Sequence, residues 1–225
     1  MKQNCKILLS LLMITLLLSS CQFSREVIEP LNDYPHWHSR MEKFIAEQDS
    51  IKDGSIIFLG NSIIEGFDLE KYFPNKIMIN RGIVSDHIDG AIKRLPSCLG
   101  DANNVKLFIL LGINDIGAKR SERNIKFLYR KLLKEISENY DVEVYLHSIF
   151  PTSARWKNCP PQTIRNMNGY IKQLAKRYDM TYIDVYPLFL GDNPDHCNDD
   201  LFKDGLHPND EGYEMWVHLL REYIK

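Results

Sequence analysis

Five short runs rich in apolar and β-branched residues, at positions 55–59, 76–80, 105–111, 142–149 and 181–185, alternate with helical patterns along this chain. Each run reads as a strand. Between them, Ile125, Leu128, Leu132 and Ile136 share one helical face, and Ile164, Met167, Ile171, Leu174 and Tyr178 share another. A last helix follows Pro208-Asn209, with Tyr213, Trp216, Val217, Leu220 and Tyr223 facing inward. Strands that alternate with amphipathic helices pair in parallel and need cover on both faces. The expectation is an α/β fold, a three-layer α/β/α sandwich around a five-stranded parallel sheet. In such sheets ligands gather beyond the carboxyl ends of the strands. Gly60-Asn61-Ser62, Asn80-Arg81-Gly82 and Gly112-Ile113-Asn114-Asp115 all stand at such ends.

The start of the chain is set apart from this pattern. Lys2 and Lys6 precede a short apolar stretch, and Ser19-Ser20-Cys21 follows it. That is the pattern of a secretory signal peptide, too short for a comfortable membrane span. Leu18-Ser19-Ser20-Cys21 resembles a bacterial lipobox, which implies lipidation of Cys21 and attachment to a membrane through that lipid. The expected layout is a signal peptide over 1–20, a tether over 21–35 and one domain over 36–225. The implied location is the cell envelope, on the periplasmic or cell-surface side of a bacterial membrane. With 28 Lys and Arg against 30 Asp and Glu, the formal charge of −2 gives no support to nucleic-acid binding. Cys98, Cys159 and Cys197 form no C-x-x-C pattern, so neither a zinc site nor a dithiol is expected, although one disulfide remains open.

Three segments carry the chemistry. Ser62 follows an apolar strand and a glycine, which places its hydroxyl at a strand-to-helix turn; a helix cap is the plainer role for such a serine. The segment lacks the G-x-S-x-G of a nucleophile elbow, since Ile64 stands where glycine would be. Asp204-Gly205-Leu206-His207 offers a carboxylate and an imidazole that one turn can aim at a single point. Asn114, after the third strand, can donate from its amide or merely form an Asx turn. Gly82 reads either as a turn residue or as a backbone donor. A serine hydroxyl is a poor nucleophile at neutral pH, and it needs a base, a group that orients the base and donors for the oxyanion.

These blocks, in this order, are similar to those of the SGNH hydrolases, also called GDSL esterases and lipases. The four blocks are Gly60-Asn61-Ser62-Ile63, Gly82, Gly112-Ile113-Asn114-Asp115 and Asp204-Gly205-Leu206-His207. The resemblance implies a flavodoxin-like sheet, Ser62 as nucleophile, His207 as general base and Asp204 as its orienting group. It also implies an oxyanion hole made of the Ser62 and Gly82 N–H groups and the Asn114 amide, with no metal or organic cofactor. Asn61 departs from the aspartate usual in the first block; it keeps an acceptor and loses a charge. Asn80-Arg81-Gly82-Ile83 looks like the branch of platelet-activating-factor acetylhydrolase subunits and bacterial carbohydrate esterases. The expected activity is therefore hydrolysis of small acyl esters, acetyl foremost, on carbohydrate, through an acyl-serine. A lysophospholipase or thioesterase of the same family is the nearest alternative, and a non-catalytic carbohydrate-binding envelope lipoprotein the more distant one.

The remaining candidates have plainer readings. His36 and His38 stand alone near the domain start, and the acidic segment 191–204 does not match an EF-hand loop. His147 reads as a hydrogen-bonded histidine at the edge of the core. Trp156 either borders the pocket, where it would suit a sugar ring, or packs on the surface.

Overall fold

The structure, a computed structural model, describes residues 31–224. The strands are β1 (Ile56–Gly60), β2 (Met78–Gly82), β3 (Val105–Leu110), β4 (Val142–His147) and β5 (Thr181–Ile183). They form one sheet of order β2-β1-β3-β4-β5, parallel at every pairing. That is the flavodoxin-like order, in which the chain reverses its direction of winding beside β1. β2 starts two residues later than its apolar run, because Ile77 lies in the preceding turn and is 92% exposed.

Alternate side chains of each strand enter opposite cores. Ile57, Leu59, Leu107, Ile109, Val144 and Leu146 face one side. There they meet α1 (Pro35–Ala46), α4 (Ile88–Leu99), α6 (Glu122–Asn139) and α7 (Pro161–Arg177), which contribute Phe44, Leu95, Leu132 and Ile171 among others. On the other face Phe58, Phe108 and Tyr145 stand in register on adjacent strands and stack, with ring centroids 4.7 and 4.5 Å apart. Trp216 of α8 (Asp210–Leu220) is fully buried against this aromatic layer. Three short helices complete the set: α2 (Ser62–Glu65), α3 (Leu69–Tyr72) and α5 (Ile113–Gly117).

The packed domain begins before His36. Asn32 is 2% exposed, the Tyr34 hydroxyl bonds the Val84 carbonyl, and Trp37 is buried. The last residues of the expected tether therefore pack on the domain, Asn32 buried beside Gly90 and half-buried Tyr34 bonded to the Val84 loop. The signal peptide, Cys21 and the tether up to residue 30 lie outside the described residues. Cys98, Cys159 and Cys197 are all buried and unpaired. Segment 191–204 is mostly loop, with one 3-10 turn at Asp199–Leu201. Among the described residues no helix is long and apolar enough to cross a membrane.

Candidate active site

The three separated segments meet at the carboxyl edge of the sheet. β1 ends at Gly60, and Asn61 caps α2 by accepting from the Ile63 N–H at 3.0 Å. Capping thus falls to Asn61, and the Ser62 hydroxyl is left for another partner: Ser62 Oγ donates to His207 Nε2 at 2.9 Å across 145 residues. His207 Nδ1 donates to Asp204 Oδ2 at 2.8 Å. Asp204 Oδ1 accepts from the backbone N–H groups of His207 at 2.8 Å and Leu206 at 3.0 Å. Burial works against the Asp204 charge, but the His207 N–H, the imidazole and the Leu206 N–H outweigh it and hold the carboxyl below its ordinary range. An ionised carboxylate only accepts, so the network puts the proton of neutral His207 on Nδ1 and leaves Nε2 free to take one.

The turn that carries this pair depends on Gly205. Its φ is +76°, and a Cβ there would lie 2.3 Å from Ser153 Oγ, so a side chain is excluded on both counts. Ser153 N donates to the Gly205 carbonyl at 2.9 Å, and the Trp156 indole N–H donates to the Asp204 carbonyl at 3.0 Å. The loop after β4 therefore supports the turn from outside.

Asn114 lies in α5, directly after β3, and its Nδ2 donates to the Asp86 carbonyl at 2.8 Å. An amide nitrogen carries two hydrogens, so one donor remains. Ser62, the first residue of α2, has a backbone N–H without an intrahelical partner.

Gly82 takes a different place from the one expected. Its N–H donates to Asn80 Oδ1 at 2.9 Å, and a Cβ on it would lie 2.1 Å from the Glu65 backbone nitrogen. Gly82 is where β2 passes under α2, a close-packing glycine whose donor is already used. Asn80 ties the same two elements together, its Nδ2 reaching the Ile64 carbonyl at 2.6 Å and that of Phe67 at 3.1 Å. The free backbone donor stands three residues later. Ser85 has φ +60°, a conformation that non-glycine residues rarely adopt, and no described group accepts from its N–H.

Beneath these loops lies a buried ion pair with no counterpart in the sequence motifs. Arg94 Nε donates to Asp86 Oδ2 at 2.8 Å, and both side chains are fully buried. The same guanidinium reaches the Arg81 carbonyl at 2.7 Å and the Gly60 carbonyl at 2.8 Å, the ends of β2 and β1. One hint was visible: Arg94 sits on the helical face shared by Ala91, Leu95 and Cys98, where an arginine is out of place unless it is paired.

A cleft of about 280 Å³ opens beside Asn114, lined also by Ser85, His87, Ile113, Trp156 and Leu206. Trp156 thus both borders the cleft and braces the Asp204 turn. Cys159 lines the cleft as well, but burial pushes its thiol up to about 11, so it stays protonated and unreactive at neutral pH. His147 is fully buried, with Nδ1 3.2 Å from the Ile109 carbonyl, and so is remote from solvent and from any base role. His36 bonds Glu65 and His38 bonds Asp33. Among the described residues no cluster of three or more His, Cys, Asp or Glu could hold a metal ion.

Residues 58–215 match the GDSL-like lipase/acylhydrolase family. The chain belongs to that family. As a GDSL-like acylhydrolase it is a hydrolase acting on esters. Its fold is shared with a Streptococcus pneumonia protein provisionally assigned as a platelet activating factor, at 25% identity over 84% of this chain and 92% of that one, with a TM-score of 0.75. It is shared also with a GDSL-like lipase from Bacteroides thetaiotaomicron, at 22% identity over 82% of this chain and 96% of that one, with a TM-score of 0.72. No curated relative matches the chain.

Proposed function

We propose that this GDSL-like acylhydrolase removes small acyl groups, acetyl foremost, from carbohydrate esters through an acyl-Ser62 intermediate. The observation that carries the reading is the continuous relay from Ser62 Oγ to His207 Nε2 and from His207 Nδ1 to Asp204, at 2.9 and 2.8 Å. In the first step His207 takes the Ser62 proton as Oγ bonds to the ester carbonyl carbon. The oxyanion then receives the second Asn114 N–H and the backbone N–H groups of Ser62 and Ser85. His207 returns the proton to the leaving alcohol oxygen as its bond to carbon breaks. Water, deprotonated by the same imidazole, repeats the attack and releases the acid.

The size and lining of the cleft support a small acyl group. At about 280 Å³ it lies at the lower limit of ordinary ligand pockets. A long acyl chain would have to run out of it. Trp156 offers an indole face at the rim, a surface on which a sugar ring can lie. The exported, lipid-anchored state is part of the proposal and is supported by the Lys2 to Cys21 pattern. A substrate fixed in the cell envelope would be within reach of an enzyme so tethered.

The test uses the purified full-length chain in detergent against acetylated sugars, acetylated polysaccharide, acyl thioesters and lysophospholipids. Acetyl release from sugars should dominate, with fluorophosphonate labelling that vanishes in Ser62→Ala. Turnover should fall at least about 10⁴-fold in Ser62→Ala and His207→Ala, and about 10²-fold to 10³-fold in Asn114→Ala. Faster cleavage of lysophospholipid or thioester would replace the substrate assignment, and sugar binding without labelling would replace the enzyme.

A further inference from the structure

The left-handed Ser85 needs an external hold, and the structure supplies it from outside the family match, which begins at residue 58. A non-glycine residue in this region is strained and persists only where its surroundings fix it. Four side chains of the segment 34–40 do the fixing. The Tyr34 hydroxyl donates to the Val84 carbonyl at 2.5 Å, and the Trp37 indole donates to Asp86 Oδ1 at 3.1 Å. Arg40 reaches the Gly82 carbonyl through Nε at 3.1 Å and Nη2 at 2.8 Å. His36 Nε2 lies 3.0 Å from both Glu65 carboxylate oxygens, and Glu65 Oε2 accepts from the Val84 N–H at 2.6 Å. The loop before the cleft is therefore held on both sides of Ser85.

One of these bonds has a direct chemical consequence. The Val84 carbonyl and the Ser85 N–H belong to the same peptide unit, which is planar and trans, so they point in opposite directions from one rigid plate. A donor that fixes the carbonyl end fixes the direction of the N–H end. It also draws electron density toward the carbonyl and strengthens the N–H as a donor. Burial and the Asp86 charge raise the Tyr34 pKa above its ordinary value, so the hydroxyl keeps its proton for this bond.

We propose that Tyr34 is a positioning residue of the oxyanion site, acting on the Ser85 N–H through the Val84–Ser85 peptide. The inference rests on the serine-esterase reading and adds to it: the helix that precedes the family match is part of the apparatus that receives the developing charge. Because an oxyanion exists only after attack, the effect falls on kcat and leaves substrate binding unchanged.

The experiment compares Tyr34→Phe with the natural chain, both full-length in detergent, on a chromogenic acetyl ester, with active sites counted by complete fluorophosphonate titration. Counting makes kcat independent of any unfolded fraction. The expected result is a kcat lowered about tenfold per titrated site, as for loss of one hydrogen bond in a preorganised site, with KM within twofold. The inhibition constant of a trifluoromethyl ketone, which forms an oxyanion on the serine, should rise by the same factor. An unchanged kcat and inhibition constant overturns the proposal, as does a rise in KM alone or a lowered Tm without a change in kcat. Ser62→Ala run in parallel separates the two levels. If it retains hydrolysis, the serine-esterase reading fails; if it is inactive while Tyr34→Phe turns over normally, only the role of Tyr34 fails.

Discussion

The site is built from two halves that are held in different ways. The half that carries Ser62, Ser85 and Asn114 is fixed by bonds between residues far apart in sequence, with Arg94 and Asp86 fully buried beneath it and joined to the ends of β1 and β2. The half that carries Asp204 and His207 is partly open, with side chains 45% and 35% exposed. Its carboxylate is satisfied by the N–H groups and imidazole of its own turn. The division follows the chemistry. Groups that meet a developing charge must already be in place, because reorientation at the moment of reaction would cost part of what they contribute. The base must also exchange protons with the departing alcohol and the entering water, and it stands on the open side.

Removal of the buried cation tests the first half most severely. Arg94→Met leaves Asp86 in the core with Trp37 as its remaining side-chain donor, and loss of one partner of a buried pair costs about 3–5 kcal/mol. Urea unfolding should show that loss, and the folded fraction should turn over more slowly because the guanidinium no longer braces the ends of β1 and β2. Stability and turnover equal to those of the natural chain would mean that this half is held by packing alone. Substitution of neither Asp204 nor His207, both partly exposed, should reach this magnitude.

The buried half also carries a pH dependence. Burial, reinforced by the charge of Arg120, lowers the His87 pKa from its ordinary value of 6.5 to about 4. Burial alone lowers His147 to about 4 as well. The folded state therefore takes up these protons later than the unfolded chain does as pH falls. The histidines' own contribution to stability is complete above about pH 6.5 and declines between there and about pH 4, by up to about 1.4 kcal/mol per pH unit for each, while Asp115, which burial pushes up to about 7, acts in the opposite sense over the same window. His87→Gln should show a shallower decline over that window in unfolding measured at a series of pH values. An identical slope would remove His87 from the account.

The sequence made the open half legible and left most of the buried half hidden. Asp204 and His207 lie three residues apart in one turn, so their partnership is local and can be read from spacing. Ser62 was found through the strand before it, and the order of the blocks joined it to the rest. The sheet was legible because hydrophobic periodicity is a local signal, and the five apolar runs match the five strands within two residues at either end. The oxyanion loop was not legible in the same way. The bond from the Gly82 N–H to Asn80 is local, two residues apart, but the close passage of Gly82 under α2 depends on the pairing of β2 with β1 and on the approach of α2, and neither is written near Gly82. The left-handed Ser85 follows from contacts with Tyr34, Glu65 and Asp86, which surround it only in the folded chain. Asn61 keeps the acceptor expected of its amide, and the structure shows where that acceptor goes, to the Ile63 N–H.

Trp156 offers the smallest perturbation and the sharpest distinction between the halves. Its indole N–H is the side-chain bond that reaches the Asp204 backbone from outside the turn, and its ring lines the cleft. Trp156→Phe keeps an aromatic ring at the rim and removes the donor, a change worth on the order of 1 kcal/mol. Turnover should fall about threefold to tenfold through loosening of the turn that orients His207, while urea unfolding shows a loss of no more than about 1 kcal/mol. Trp156→Leu should lower turnover equally and in addition raise KM for sugar esters, since it removes the face on which a ring would lie. If Trp156→Phe were to lower stability as much as Arg94→Met does, the two halves would form one cooperative unit, and the division between them would have no structural basis.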